Sequence, residues 1–153
     1  DVQLLLTIRS YKDEVRQHTI EAIRRICKGE AIAAGAPREP EVSVKESVHA
    51  TDNDPALSER LTAALRHSLG NDVVVKGQPI MGAEDFSEFG RAGIPSVLFW
   101  VGATEPEKLE ESRRTGIPLP SLHSSLFAPS LPTALKTAIR AETSAALELL
   151  AQP

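Results

Sequence analysis

Apolar and polar positions recur along this chain with a spacing that changes from segment to segment. Residues 2–10 are dense in apolar side chains and alternate toward Arg9, a period of two that predicts a strand. The segment IPSVLFWVG at 94–102 is almost wholly apolar, which predicts a strand covered on both faces. Shorter segments of the same kind predict two further strands, at 41–49 and 72–75.

Helical spacing dominates between the predicted strands. Apolar residues recur at helical spacing over 13–34, with Asp13 as a candidate N-cap and Gly35 as the stop. A second helix is predicted to have Pro55 in its first turn and to end at Gly70. Three more segments follow along the chain: a short helix over 84–92, a polar helix or loop near 105–116, and a final helix over 131–150.

The order of these elements predicts an α/β layered fold, opened by a β-α-β unit that fills residues 1–49. In such folds, functional sites gather in the loops beyond the strand ends. The loop MGAED follows one predicted strand and LPSLHSS follows the apolar strand at 94–102. We therefore expect the residues of a functional site to lie in these two loops.

Charge and composition exclude several classes of function. The 153 residues carry 17 basic and 21 acidic side chains, a net charge of -4, which gives no basic field for nucleic acid or anionic lipid. No apolar run reaches the ~18 residues of a membrane span. The lone Cys27 excludes an intrachain disulfide. The chain opens inside a strand-like run without Met, so we expect a missing N-terminal part, which leaves a soluble cytoplasmic or periplasmic location open.

Among the histidines, His123 has the most suggestive surroundings. It lies in an irregular, proline-flanked, weakly polar loop, and an imidazole held rigidly in such a loop is a good metal ligand or proton carrier. A packed loop histidine is the alternative, and local sequence leaves both open. His18 and His67 lie inside predicted helices and His49 ends a predicted strand, so we interpret these three as structural.

The adjacent carboxylates Glu84 and Asp85 in MGAEDFSEF allow two interpretations. They form one wall of an active site, or they merely complement the dipole of a helix in its first turn. The chain contains no HExxH, CxxC or GxSxG motif that would decide the question by itself.

Five stretches, taken in order, resemble the M20 family of metal-dependent peptidases and amidohydrolases, with the aminoacylase and hippurate-hydrolase group as the most similar branch. They are TIRSYKDEVRQ, DNDPAL, MGAEDFSEF, GIPSVLFWVG and LPSLHSSLFAP. The resemblance implies an α/β catalytic domain with two divalent metal ions, usually zinc and sometimes manganese or nickel. It also implies a smaller ferredoxin-like lid that often forms a homodimer. Residues 1–47 would be the second half of the lid, and residues 48–153 the C-terminal half of the catalytic domain.

The resemblance also implies roles for individual residues. His123 matches the family's last metal ligand, although Ser125 stands where many relatives have proline. Glu84 and Asp85 match an acidic pair near the cleft. Arg9 matches a lid arginine that binds the substrate carboxylate in some relatives, a task that suits a planar guanidinium.

The expected activity is hydrolysis of N-acyl amino acids or small peptides. The remaining metal ligands and the glutamate that acts as general base would lie before residue 1, so we expect these 153 residues alone to be inactive. The alternative is a non-catalytic α/β module that dimerises or binds peptides through its β-α-β unit.

Overall fold

A computed structural model of the chain describes residues 2–45, 47–82 and 84–151. These residues divide into two compact units. The first unit takes in the described residues of 1–54 and 78–96, and the second those of 55–77 and 97–153. The helices are α1 (Asp13–Ala33), α2 (Pro55–Leu69), α3 (Ser87–Arg91), α4 (Pro106–Thr115) and α5 (Thr133–Leu150).

Helix α1 confirms the predicted long helix of the first unit. Asp13 and Glu14 occupy its first turn, where negative charge complements the helix dipole. The predicted N-cap was wrong by one residue. Lys12 holds the N-cap position with extended backbone and without a side-chain cap. The Asp13 carboxylate instead contacts His49 and Arg91. After the helix, Gly35 adopts a positive φ of 61°, which glycine tolerates at no steric cost.

Helix α3 is shorter than the sequence indicated. The backbone N–H groups of Ser87 and Glu88 donate to the carbonyls of Glu84 and Asp85 at 3.4 and 3.0 Å. These bonds form a turn before the helix, so the first-turn acid is Glu88 and not the predicted pair. The Phe86 ring packs near that of a second aromatic residue, Phe89, with centroids 5.3 Å apart.

The second unit is organised by α2 packing against α5. The buried side chains are Leu61 and Leu65 on α2 and Ala141 and Ala145 on α5. Alanines on one helix let the backbones approach while leucines on the other fill the interface, as expected for packed helices. Apolar burial of this kind is the main source of stability for such a pair.

Polar contacts flank this apolar seam at both ends. Arg60 Nε donates to Glu148 Oε1 at 2.7 Å, and the Ser144 hydroxyl bonds to the Ser68 hydroxyl at 2.7 Å. Arg140 donates to the backbone carbonyl of Ser68. These bonds fix the axial register of the two helices.

Helix α4 shows which of the two structures predicted for the polar segment near 105–116, a helix or a loop, is formed. Pro106 occupies its first turn, where a missing N–H costs nothing, and Gly116 ends it at φ 72° with its N–H donating to the Ser112 carbonyl. The segment is therefore a helix and not a loop.

The described residues include no assigned strand. The segments predicted as strands are non-helical where they are described, and the α/β class and the boundary at residue 47 stay predictions. No helix within the described ranges combines the length and apolar character that a membrane span requires.

Candidate functional site

Arg9 and the MGAED segment come together in the first unit. Nη1 of Arg9 donates a hydrogen bond to the backbone carbonyl of Met81 at 2.5 Å, across 72 positions of sequence. Met81 precedes Glu84 by three residues. The contact places a guanidinium beside the segment that carries the predicted acidic pair. A guanidinium has five N–H donors, so one bond to a carbonyl is compatible with a second, bidentate partner.

The carboxylates of Glu84 and Asp85 are both exposed. Their backbone carbonyls hold the turn that starts α3, so the main chain is fixed while the side chains stay open to solvent. This geometry makes both carboxylates available for binding. Their assignment to substrate stays a prediction.

Ser87 lies two residues after Asp85 and is the buried polar residue of the described chain. It is 4% exposed, and its hydroxyl has no hydrogen-bond partner among the described residues. A buried polar group without a partner costs about 1–3 kcal/mol. Sequence reasoning missed this residue because a serine at the start of a short helix is ordinary.

His123 belongs to the second unit, in a turn built by local hydrogen bonds. The N–H of Ser124 donates to the Ser121 carbonyl at 2.9 Å, and the N–H of Phe127 donates to the Ser124 carbonyl at 3.0 Å. The Ser124 hydroxyl accepts from the N–H of Leu126 at 3.1 Å. These bonds order the backbone on both sides of His123, while its imidazole is exposed and not packed into the loop.

A metal centre does not form from the described residues by themselves. Nowhere in the described ranges do three or more His, Cys, Asp or Glu side chains lie close enough together to hold an ion. Protein zinc sites use three or four such ligands. His123 can therefore supply one ligand, and its role as a metal ligand stays a prediction.

A cluster that the sequence did not predict joins three segments of the first unit: Asp13 of α1, His49 before α2, and Arg91 at the end of α3. His49 Nδ1 lies 3.1 and 3.2 Å from the two Asp13 carboxylate oxygens. Arg91 Nη1 lies 3.3 Å from Asp13 Oδ2 and 3.0 Å from His49 Nδ1. These partners are 36, 78 and 42 residues apart, so no local pattern could have revealed them.

The cluster also changes the acidity of its carboxylate. When His49 is protonated, the hydrogen bond that its Nδ1 donates holds the pKa of Asp13 below its ordinary value, and the charges of His49 and Arg91 act in the same direction. Partial loss of hydration acts in the opposite direction, since it disfavours the charged form. Asp13 therefore stays ionised to lower pH than a free aspartate.

Comparison with known proteins identifies the family of the chain. The sequence profile of peptidase family M20/M25/M40 matches residues 9–114, more than half of the chain. The chain belongs to this family. The match begins at Arg9 and includes Glu84 and Asp85, whereas His123 lies beyond its end.

Curated relatives of this M20 chain include three bacterial or archaeal proteins. An uncharacterized hydrolase of Sinorhizobium fredii, y4tI, is 33% identical over 65% of the chain and 24% of its own length. YhaA of Bacillus subtilis, named as an amidohydrolase, is 29% identical over 69% of the chain and 26% of its own length. Thermostable carboxypeptidase 1 of Saccharolobus solfataricus is 31% identical over 71% of the chain and 26% of its own length. The chain spans about a quarter of the length of these relatives.

The lowered pKa of Asp13 predicts a pH dependence of stability. A carboxyl whose pKa is lower in the folded state contributes stability above its unfolded value, near 3.8, and loses it as the pH falls through the lower folded value. Asp13→Asn should abolish the part of the acid-induced fall in the free energy of unfolding that Asp13 causes. It should also lower the free energy of unfolding near neutral pH. Urea unfolding followed at a series of pH values measures the effect.

Glu14→Gln is the matched control, because Glu14 is the adjacent carboxylate and forms an exposed ion pair with Lys12 at 3.7 Å. It should leave the acid-side slope nearly unchanged. Equal slopes for Asp13→Asn and the unsubstituted chain would contradict the contribution assigned to Asp13.

Proposed function

We propose that the chain is part of a metal-dependent hydrolase that cleaves amide bonds in N-acyl amino acids or small peptides. The observation that carries this proposal is the family match from Arg9 through the acidic pair, two regions that also meet in the first unit. Relatives named as a hydrolase, an amidohydrolase and a carboxypeptidase support hydrolysis of an amide. The aminoacylase and hippurate-hydrolase branch is the finer part of the proposal.

Arg9 would orient the substrate. Its exposed guanidinium is fixed through Met81 beside the acidic segment, and its remaining donors match the two oxygens of a carboxylate. Holding the carboxylate end sets the position of the scissile bond, which lowers the entropic part of the barrier. Glu84 and Asp85, exposed on the same segment, would contact the polar end of the substrate or its amide N–H.

His123 would supply one ligand to a metal ion. Its exposed imidazole stands on a turn ordered by local hydrogen bonds, which limits the motion of a ligand. When bound, divalent ions of the kind proposed lower the pKa of a water and polarise a carbonyl. We place the other ligands and the general base in the three quarters of the relatives' length that this chain does not span, so that these 153 residues alone would be inactive.

The α/β fold belongs to the same proposal. Residues 1–47 would complete a ferredoxin-like lid and residues 48–153 a layered catalytic domain, with the lid forming a homodimer. Exposed apolar side chains on the first residues support an interface there, since Val2, Leu4, Leu5 and Leu6 are 65–90% exposed.

A second candidate is a non-catalytic module that uses this apolar segment to dimerise or to bind a peptide. Exposure of the same four residues is the observation that favours it. The two candidates differ in what they require of His123, because a dimerisation module has no use for an exposed imidazole as a metal ligand.

Replacement of His123 tests the metal assignment. In the full-length protein, His123→Ala should remove one equivalent of bound zinc and nearly all turnover, since a site that loses one of its three or four ligands binds weakly. Elemental analysis and turnover of an N-acyl amino acid measure both. His67→Ala, which removes another exposed imidazole of the second unit, should change neither. Unchanged metal content in His123→Ala would rule out His123 as a ligand, and absence of bound metal from the unsubstituted full-length protein would favour the non-catalytic module.

Replacement of Arg9 tests the carboxylate contact. Loss of charge-assisted hydrogen bonds worth about 1.5–3 kcal/mol should raise KM for a free-carboxylate substrate about tenfold to hundredfold in Arg9→Ala. The methyl ester of that substrate should be affected much less. Arg25→Ala, another exposed arginine of the first unit, is the control and should leave both values unchanged. Equal losses on acid and ester would rule out the assigned contact.

A further inference from the structure

In the cluster of Asp13, His49 and Arg91, the position of one proton decides which hydrogen bond the His49 ring makes. His49 Nδ1 lies within hydrogen-bond distance of a donor, Arg91 Nη1 at 3.0 Å, and of two acceptors, the Asp13 oxygens at 3.1 and 3.2 Å. An imidazole nitrogen donates when it carries hydrogen and accepts when it does not. Nδ1 can therefore satisfy Arg91 or Asp13, but not both at once.

Two arrangements of the cluster follow. With Nδ1 free of hydrogen, Arg91 donates to His49, and the same guanidinium bridges to Asp13 Oδ2 at 3.3 Å. With Nδ1 protonated, the ring donates to Asp13 and can no longer accept from Arg91. In the imidazolium form, two positive groups also stand side by side, which disfavours the approach of Arg91.

We propose that Asp13, His49 and Arg91 form a proton-dependent clamp that holds α3 to the segment before α2 when His49 is neutral and loosens it when His49 is protonated. Arg91 is the last residue of α3, so its bond to His49 anchors that helix directly. The backbone approach supports the same contact, because a Cβ added at Gly90 would lie 3.9 Å from the Asp52 carbonyl oxygen.

The other charges near the clamp lie on the elements that form it. On α1, Glu14 pairs with Lys12 at 3.7 Å, and on α3, Glu88 pairs with Arg91 Nε at 3.7 Å. Asp52 and Asp54 follow His49 along its own segment. The pair with Glu88 lies within α3, so it does not replace the tie to His49 when that tie is lost.

The clamp bears on the acidic pair, since α3 begins two residues after Asp85. Release of its far end would loosen the turn that carries Glu84 and Asp85. This link to substrate binding rests on the proposed function, whereas the clamp itself does not. A measurement without a catalytic readout therefore separates failure of the clamp from failure of the proposed enzyme.

Nitrogen NMR and amide hydrogen exchange on the full chain test the clamp. The Nδ1 resonance of neutral His49 should show a nitrogen without hydrogen. In the protonated state of His49, the protection of the amides of residues 88–91, corrected for the intrinsic pH dependence of exchange, should be about twofold to fivefold lower than in the neutral state, the loss expected for one exposed hydrogen bond.

His49→Asn is the decisive variant, because the Asn amide occupies the place of Nδ1 and can accept from Arg91 and donate to Asp13 at every pH. Protection in this variant should be high and independent of pH. His18→Asn removes an exposed histidine of α1 in the same unit and should keep the wild-type pH dependence. Hydrogen on Nδ1 of neutral His49, or the same pH-dependent fall in His49→Asn, would overturn the clamp.

Discussion

Coordination chemistry sets the constraint on which the proposed function of this chain depends. A protein-bound zinc ion needs three or four side-chain ligands brought to one point. The described residues bring no such group together, and His123 stands exposed on a turn whose backbone is ordered on both sides. The chain belongs to peptidase family M20/M25/M40 and spans about a quarter of the length of its relatives. An incomplete set of metal ligands is compatible with that partial span. In the proposed function, this chain contributes one ligand to a larger metal site.

The first unit is held by polar contacts between distant segments. Arg9 reaches the Met81 carbonyl, and the Asp13, His49 and Arg91 cluster joins α1, α3 and the segment before α2. The second unit relies on an apolar seam between α2 and α5. Polar contacts at a surface contribute less than apolar burial and respond to pH. The lowered pKa of Asp13 therefore makes the stability of the unit that carries the acidic pair depend on pH.

The sequence predicted what local periodicity determines and missed what distant contacts determine. Helices α1 and α2 follow from apolar spacing and from stops at Gly35 and Gly70, all of which are local signals. The start of α3 was misplaced because Glu84 and Asp85 suit a first helical turn as well as a preceding turn. His49 was interpreted as structural, since nothing within ten residues of it reveals partners 36 and 42 positions away. The α/β class and the roles of Arg9, Glu84, Asp85 and His123 stay predictions.

The most direct test of the central claim is an experimental structure of the full-length protein crystallised with zinc, with the ions located by anomalous scattering. A nitrogen of His123 should lie about 2.0–2.1 Å from a zinc ion whose remaining ligands come from residues outside this chain. A fully coordinated zinc site in which His123 takes no part, with its imidazole in solvent, would contradict the assignment.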